Sequence, residues 1–562
     1  MGSPALDGIG RRVRAYGWAG ARADLRAGAV VGAVLVPMGM TYAVLAGVPP
    51  VYGLYASLVP LVAYAALGAS RHLAVGPAAV DMVVVAGGVG AVAAEGSAEY
   101  ASLVSLVALL VGAVHVIIGA ARLDALARLL SRPVVAGFMT GAPVVIAASQ
   151  VGALLGLDLA RDPVGALVGV AQRAGEAHGP TVAVGAAALA VVAGLGRWRR
   201  LPAPLAAVAA GAAASWVFGL EAAGVATVGP VPSGLPRLAL PSLGPNPWAS
   251  VAAVGPTVLA LALVQLLGVT SVGRGLADRA GEAARPMRDV LAVGAANVAS
   301  GAFGAIPVSV SFSRSAVNVG AGARSSASNA VAAVVVALAL GVLTPAFALV
   351  PSAVLAAVIV VSALRLVDVR GLVEMAGAHP WDGAVAAATA SVTVALGVQE
   401  GLAVGVGVSV LGLLWRASRA DVVVLGREPG TDAWRDASRT PGAAELDGVV
   451  PLRVRSSLSF ANAPSLADRV RAAACGARAV VLDLRDVSDL DATAAAALAR
   501  LLGELEAEGA LVVVVSPSQA GPLERGGAGG VRWAGSVREA VAALDSGERD
   551  ERPVSVGDQP GR

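Results

Sequence analysis

From residue 26 to about 415, apolar runs of roughly 17 to 25 residues alternate with short polar punctuation, the length that the hydrocarbon core of a bilayer requires. About fourteen such runs can be drawn: 26–46, 50–69, 75–94, 101–120, 132–157 as one long or broken span, 180–195, 202–220, 250–272, 289–306, 312–322, 327–343, 346–363, 382–398 and 400–415. The pattern predicts a helical, polytopic membrane protein. After Arg419 the rhythm changes. Short apolar runs VVPLRV (449–454), AVVLDL (479–484) and LVVVVS (511–516) alternate with the helix-spaced APSLADRVRAAA, AAAALARLLGELEAEG and SVREAVAAL, which predicts a small sheet carrying helices.

Composition agrees with the pattern. Hydrophobic residues make up 56% of the 562, charged residues 14%, and mean hydropathy is +0.75, whereas an ordinary soluble chain is about 25% charged. All 41 basic residues are arginine and the net charge is only +3, so a nucleic-acid partner is not expected. Arginines gather at Arg71, Arg122–Arg132, Arg197–Arg200, Arg274–Arg288, Arg365–Arg370 and Arg416–Arg419, recurring at alternate loops. The positive-inside rule with an even span count then places both termini in the cytoplasm of a cell-membrane protein. The arginine-rich start, Arg11 to Arg26, lacks the small-residue cleavage pattern of a secretory signal. Cys475, the single cysteine, excludes an internal disulfide and reads as a buried thiol in a reducing compartment. The four histidines form no metal-ligand spacing, and no cofactor is expected.

Two places interrupt the apolar runs from within. Gly76-Pro77-Ala78-Ala79 opens one helix after Val75, and SFSRSAVN (311–318) opens another after Val310 with Arg314 inside membrane-grade sequence. A helix that begins within the bilayer presents unsatisfied N–H groups and a positive dipole end, so two such starts with one arginine form an anion site. Pro77 suits a first helical turn, and Ala78 and Ala79 leave the backbone donors uncovered. The Pro- and Gly-rich residues 221–248 lie near the midpoint as an external linker, so each half holds one interrupted helix, the arrangement of an inverted-repeat transporter. A pore uses similar parts, and small residues such as Gly28 and Gly32 also serve plain helix packing. An intramembrane charge costs about 3 kcal/mol, which makes Arg314 functional by default. The plainer alternative is an arginine that ties two helices together.

At these blocks the sequence resembles a known family. PMGMTYAVLAGVPPVYGLYAS (37–57), LGASRHLAVGPAA (67–79), SRPVVAGFMTGAPVVIAASQ (131–150), VGPVPSGLP (228–236), ANVASGAFGAIPVSVSFSRSAVNVGAGAR (296–324) and VPSAVLAAVIVVSALRLVD (350–368) look like the sulfate permease family, SulP, in order along the chain. The resemblance implies a seven-plus-seven inverted repeat in which a core domain moves against a gate domain, with a small anion between the N-termini of the third and tenth helices. Carried onto this chain, the anion-binding positions are Gly76, Pro77, Ala78 and Ala79, Ser311, Ser313, Arg314 and Ser315, with Tyr42 as an aromatic lid. Serines in a membrane helix also bond their own backbone, which is the competing role for Ser313 and Ser315. The resemblance also implies a homodimer.

The chain departs from the family twice. Met38 stands where many members have glutamine after the first-helix proline, and Gly268 stands in QLLG where many bacterial members have glutamate, the usual candidate for cation coupling. Asp81, one turn into the third helix, is the compensating candidate, coupling transport to a proton rather than to sodium. Its plainer roles are a fixed ion pair with Arg314 or a carboxylate facing a water-filled vestibule. Gln265, three residues before Gly268, reads as an interhelical packing group or a weak polar contact, His115 as a packing histidine, and Gln150 as a partner for broken backbone between spans.

The C-terminal pattern resembles the STAS domain that ends most SulP proteins, through SLSFANAPSLADRV and VVLDLRDVSDLDATAAAALARLL. In relatives an acid and a following Ser or Thr at this tip form a phosphorylation and partner-docking site; the matching residues are Asp491 and Thr493, which also fit simple helix capping. The chain therefore divides into a leader (1–24), a transmembrane transport region (25–419), a linker (420–448), a cytoplasmic α/β STAS domain (449–545) and a disordered tail (546–562). The expected function is secondary active transport of a small inorganic anion such as sulfate or bicarbonate, with Met38 and Ala78 favouring a monovalent ion. The alternatives are an uncoupled exchanger, uniporter or chloride-like channel, and a membrane-anchored regulatory scaffold. No nucleophile–base pair or phosphate loop points to an enzyme.

Overall fold

The computed structural model describes residues 4–123, 131–160, 162–195, 203–230, 232, 234–242, 246–365, 367–444, 446–516, 520–528 and 531–545. The Arg197–Arg200 cluster, most of the stretch between Arg122 and Arg132 and the tail 546–562 lie outside them. The chain forms two compact units, Met1–Ser409 and Val410–Arg562.

The first half of the larger unit runs α1 (Pro4–Leu45), α2 (Val51–Tyr55), α3 (Val59–Leu67), β1 (Val75–Gly76), α4 (Ala79–Gly90), α5 (Ala98–Ala120), α6 (Arg132–Ser149), α7 (Val151–Leu155), α8 (Pro163–Arg173), α9 (Gly179–Leu195) and α10 (Ala203–Phe218). The second runs α11 (Pro247–Arg279), α12 (Pro286–Ala302), β2 (Ser309–Val310), α13 (Phe312–Gly320), α14 (Ala327–Val342), α15 (Thr344–Ala348), α16 (Ser352–Leu364), α17 (Val369–Ala378), α18 (Pro380–Leu396) and α19 (Val398–Ala417). Helix occupies each of the fourteen expected runs, with 132–157 broken at Gln150 into α6 and α7. Among the described residues six helices are long and apolar enough to cross a bilayer unaided, and five shorter apolar helices accompany them. Within α1 the backbone leaves helical geometry at Gly17, where φ is +46°, so the span to Leu45 follows a break from the leader.

The two halves repeat one another in detail. Each starts with a long helix (α1, α11) and reaches a short interrupted one (α4, α13). Each later carries a short polar-faced helix with the same cap: Asp162 accepts from the Gly165 N–H at 2.7 Å before α8, and Asp368 from the Gly371 N–H at 2.8 Å before α17. An Asp at the N-cap satisfies one of the orphan donors that every helix start leaves. Tight packing uses small residues: a Cβ at Gly28 would lie 2.4 Å from the Ser328 carbonyl and one at Gly32 2.7 Å from Val335, so these glycines let α1 cross α14 closely, as the packing alternative expected. Trp216 and Trp248 near helix ends, and Trp18 beside the Gly17 break in α1, stand more than three-quarters exposed, as interfacial anchors do in a bilayer.

The smaller unit is a six-stranded sheet in the order β4-β3-β5-β6-β7-β8, built from β3 (Val422–Arg427), β4 (Trp434–Asp436), β5 (Val449–Val454), β6 (Ala479–Asp483), β7 (Leu511–Val515) and β8 (Arg532–Ala534). Strands β5 to β8 are parallel and β3 is antiparallel to both β4 and β5. Helices α20 (Ala463–Ala474), α21 (Ala492–Ala507) and α22 (Ala520–Arg525) fill the crossovers, α23 (Val537–Asp545) follows the last strand, and apolar clusters cover both faces of the sheet. The segment 420–448, read as a linker from its charge and Gly/Pro content, supplies β3 and β4; backbone pairing of β3 with β5, and of β4 with β3, outweighs that composition. Cys475 is exposed at the C-terminal end of α20, contrary to the expected buried thiol, because it sits one residue past the amphipathic face.

Candidate functional site

The two interrupted helices meet. Residues β1 and β2 pair antiparallel, Val75 against Val310 and Gly76 against Ser309, so the short extended segments preceding α4 and α13 cross side by side. Neither start has a side-chain cap: Ala78 precedes α4 and Ser311 precedes α13, both extended and both without a capping bond. Each therefore keeps the free N–H groups and positive dipole end that attract an anion.

Arg314 is 1% exposed and joins the two starts. Its Nη1 donates to the Pro77 carbonyl at 2.5 Å and its Nη2 to the Gly76 carbonyl at 2.9 Å, with a longer contact to Ser309 at 3.3 Å; Nε has no partner. The arginine thus places its charge beside the α4 start while holding the backbone that leads into it. The tying role and the charge role are one arrangement. Gly76 has φ +152°, and a Cβ there would meet Leu35 Cδ2 at 2.8 Å, so glycine is required at this point.

The serines divide. Ser313 is exposed and Ser311 half-buried, their hydroxyls 3.0 Å apart. Ser315 is fully buried and its Oγ accepts the Ala74 N–H at 3.0 Å, so it belongs to the joint between the halves rather than to an open anion pocket. Tyr42 is buried on α1 together with Met38, in the same apolar cluster as Val75, Ala79 and Val310. A side chain at Gly268 would meet nothing within 4 Å, so the position of the family glutamate is open.

Asp81, 2% exposed in the first turn of α4, is not paired with Arg314. Its Oδ2 accepts from Gln265 Nε2 at 2.9 Å. Gln265 is itself fully buried and its Oε1 accepts from Asn297 Nδ2 at 3.1 Å. Asn297 is clamped by the backbone of Val308, whose N–H donates to Oδ1 at 2.9 Å and whose carbonyl accepts from Nδ2 at 2.7 Å. Because an N–H can meet only an acceptor, Val308 sets the Asn297 amide, Asn297 sets Gln265, and Gln265 always donates into Asp81. Oδ2 is therefore an acceptor in either ionisation state.

Asn297, Asn318 and Asn329 were not singled out from the sequence. Asn329 Oδ1 accepts the Val75 N–H at 3.1 Å and its Nδ2 donates to the Leu73 carbonyl at 3.0 Å, while Asn318 Nδ2 reaches the Arg71 and His72 carbonyls at 3.3 and 3.4 Å. The available signal was an asparagine inside each of three apolar runs, where an amide must find partners. His115 matches the packing reading: its Nε2–H donates to the Ala262 carbonyl at 2.9 Å. Gln150 does not serve broken backbone; its amide donates to Ser149 Oγ at 2.9 Å, the turn between α6 and α7 closing through backbone bonds instead.

In the smaller unit Asp491 caps α21, accepting from the Ala494 and Phe460 N–H groups at 2.7 Å each. Those donors, with that of Thr493, hold its carboxyl below the usual aspartate range. Thr493 is exposed at the second helical position, and Asp491 alone forms the cap. Among the described residues no His, Cys, Asp or Glu group is arranged to hold a metal ion.

Comparison with known proteins agrees with this architecture. The model of the sulfate permease family matches residues 22–389 and that of the STAS domain residues 440–521. A probable sulfate transporter of Mycobacterium tuberculosis is 35% identical over 444 residues, covering 79% of each chain. Sulfate transporter 4.1, chloroplastic, of Arabidopsis thaliana is 30% identical over 91% of this chain and 77% of its own. The structure of the murine solute carrier 26 member A9 anion transporter superposes with TM-score 0.84 at 22% identity over 93% of this chain and 91% of its own. The transmembrane domain of a cyanobacterium bicarbonate transporter, BicA, gives 0.61 at 19% identity over 69% and 98%. These structural likenesses concern the fold, which is helical and membrane-spanning with a C-terminal STAS domain. On the family match and the extent of the sequence identity, this chain belongs to the sulfate permease family of membrane transporters and is not an enzyme.

Proposed function

We propose that this protein is a secondary active carrier of a small inorganic anion, which binds between the N-termini of α4 and α13 beside Arg314 and crosses by elevator-type alternating access with a proton on Asp81. The observation that carries the reading is the buried Arg314 bridging two uncapped helix starts. The bound anion is held by free N–H groups, by Ser311 and Ser313 and by the arginine charge, with Tyr42 on the neighbouring α1. The names of the relatives make sulfate the first anion to test and bicarbonate the second.

Charge arithmetic supports the proton. An ionised Asp81 one turn into α4 would offset the single positive charge of Arg314, whereas a protonated one leaves it unopposed for the anion. Proton and anion then bind with positive coupling, each raising the affinity for the other. Uptake by the purified full-length protein in liposomes tests both parts: accumulation of labelled sulfate or bicarbonate driven by an inward proton gradient is the expected result. Transport that only equilibrates, indifferent to the gradient, would instead establish an uncoupled exchanger or uniporter, a second reading favoured by the empty position at Gly268. A homodimer in the cell membrane with cytoplasmic termini, and a STAS domain that docks a cytoplasmic partner near Asp491 and Thr493, complete the proposal.

A further inference from the structure

A second basic site lies away from the helix crossing. A cavity of about 780 Å³ opens where the α3–β1, α11–α12 and α13–α14 loops converge, and none of the proposed anion-site residues lines it. Four arginines, Arg71, Arg285, Arg288 and Arg324, face two carboxylates, Glu282 and Asp289, leaving a net charge of +2 with His72 neutral.

The acids are already committed. Asp289 Oδ1 accepts from the Tyr64 hydroxyl and from the Ala69 and Ser70 N–H groups, each at 2.9 Å, so it holds the α3–β1 turn together. Glu282 is shared by Arg71 and by His72 Nε2, the latter at 3.1 Å. Outside the lining, Asp24 fixes the third loop by accepting from the Arg324 N–H at 2.6 Å and the Ser325 hydroxyl at 2.5 Å. Arg285, Arg288 and Arg324 form no ion pair among the described residues. The N-terminus of α12, a helix of 17 residues whose N-cap residue is Arg285, has no side-chain cap and adds its positive dipole end to the same space.

The volume falls within the range of about 300–1,000 Å³ typical of small-molecule sites, far more than one inorganic anion fills. Guanidinium forks match phosphate oxygens two at a time, and three of them, two at the start of α12 and one on the α13–α14 loop, suit a ligand with several phosphates rather than one. We infer that this cavity binds a phosphate-rich ligand, held by Arg285, Arg288 and Arg324 at the N-terminus of α12. The ligand can be a soluble polyphosphate or a phosphoinositide headgroup, which share this chemistry.

The test uses the purified full-length protein in two arms. In the first, inorganic tripolyphosphate is titrated calorimetrically against wild type and against the triple variant Arg285→Gln, Arg288→Gln, Arg324→Gln, with Arg314→Ala as a control for the other site. In the second, binding to phosphatidylcholine vesicles with and without a phosphoinositide is compared for the same proteins. Binding in either arm that the triple variant weakens by ~100-fold, while Arg314→Ala retains it, supports the site, and the responding arm identifies the source. The single variant Arg288→Gln, expected to lose ~10-fold, decides the matter where the triple variant does not fold. No binding in both arms, or binding that the arginine variants keep, overturns the inference.

Discussion

The α4 start and the α13 start share an extended, uncapped entry and have opposite chemistry. Around α4 the chain offers Gly76, Pro77, Ala78 and Ala79, side chains too small to cover the backbone, and exports two carbonyls. Around α13 it offers Ser311, Ser313, Arg314 and Ser315, and those side chains reach back: Arg314 to Gly76 and Pro77, Ser315 to Ala74. Asn318 and Asn329 extend the same pattern to residues 71–75. An inverted repeat thus keeps its fold symmetric while one half supplies bare backbone and the other supplies the groups that fix it. Asp81, an acid one turn into α4, sits on the bare half and is turned toward Gln265 of α11.

Removing Arg314 should break this arrangement most severely. Arg314→Ala deletes a buried cation and its hydrogen bonds to carbonyls, at ~1.5–3 kcal/mol for each bond to a charged group, so anion uptake in liposomes should fall by ~100-fold or more. Arg314→Lys keeps the charge without the fork and should recover only part of the rate; full recovery would mean that charge alone matters and the tie to Gly76 and Pro77 does not. Next in size is Gly76→Ala, which places a non-glycine residue at φ +152° at a cost of ~1–3 kcal/mol and should lower uptake by ~10-fold. Val310→Ala, on the short strand of the other half that pairs with Val75-Gly76, should change uptake much less, and equal effects would erase the asymmetry.

Asp81→Asn is expected to abolish proton-gradient stimulation while the protein still binds the anion, measured by uptake at imposed gradients and by equilibrium binding. Persistence of the stimulation removes Asp81 from coupling. Gln265→Leu sharpens that result, because it frees Oδ2 of its donor and should shift the pH profile of transport without deleting it. The smallest effects separate the serines. Ser313→Ala should weaken the apparent anion affinity by ~5-fold through loss of one donor, with thermal stability unchanged. Ser315→Ala should do the reverse, lowering the melting temperature through ~1 kcal/mol lost at the Ala74 N–H.

Much of this was legible in the chain. Run lengths near the bilayer thickness located the spans, Gly76-Pro77 and the arginine in SFSR marked both breaks, and the switch to strand and helix alternation after Arg419 placed β5, β6 and β7 to within a residue. These are local properties, set by a period, a length or a dihedral preference within a few neighbouring residues. What the tertiary structure decided is which polar group meets which. Arg314 and Pro77 are 237 positions apart and Gln265 and Asp81 184, and no local pattern encodes such a pairing. The same holds for β3, an apolar run inside a charged, Gly/Pro-containing segment that finds its edge on β5, for β4, which pairs with β3, and for Cys475, whose side of α20 depended on one further residue. Lengths and breaks follow from the cost of exposing backbone to lipid; partners follow only once the packing of the two halves brings their buried polar groups within bonding distance.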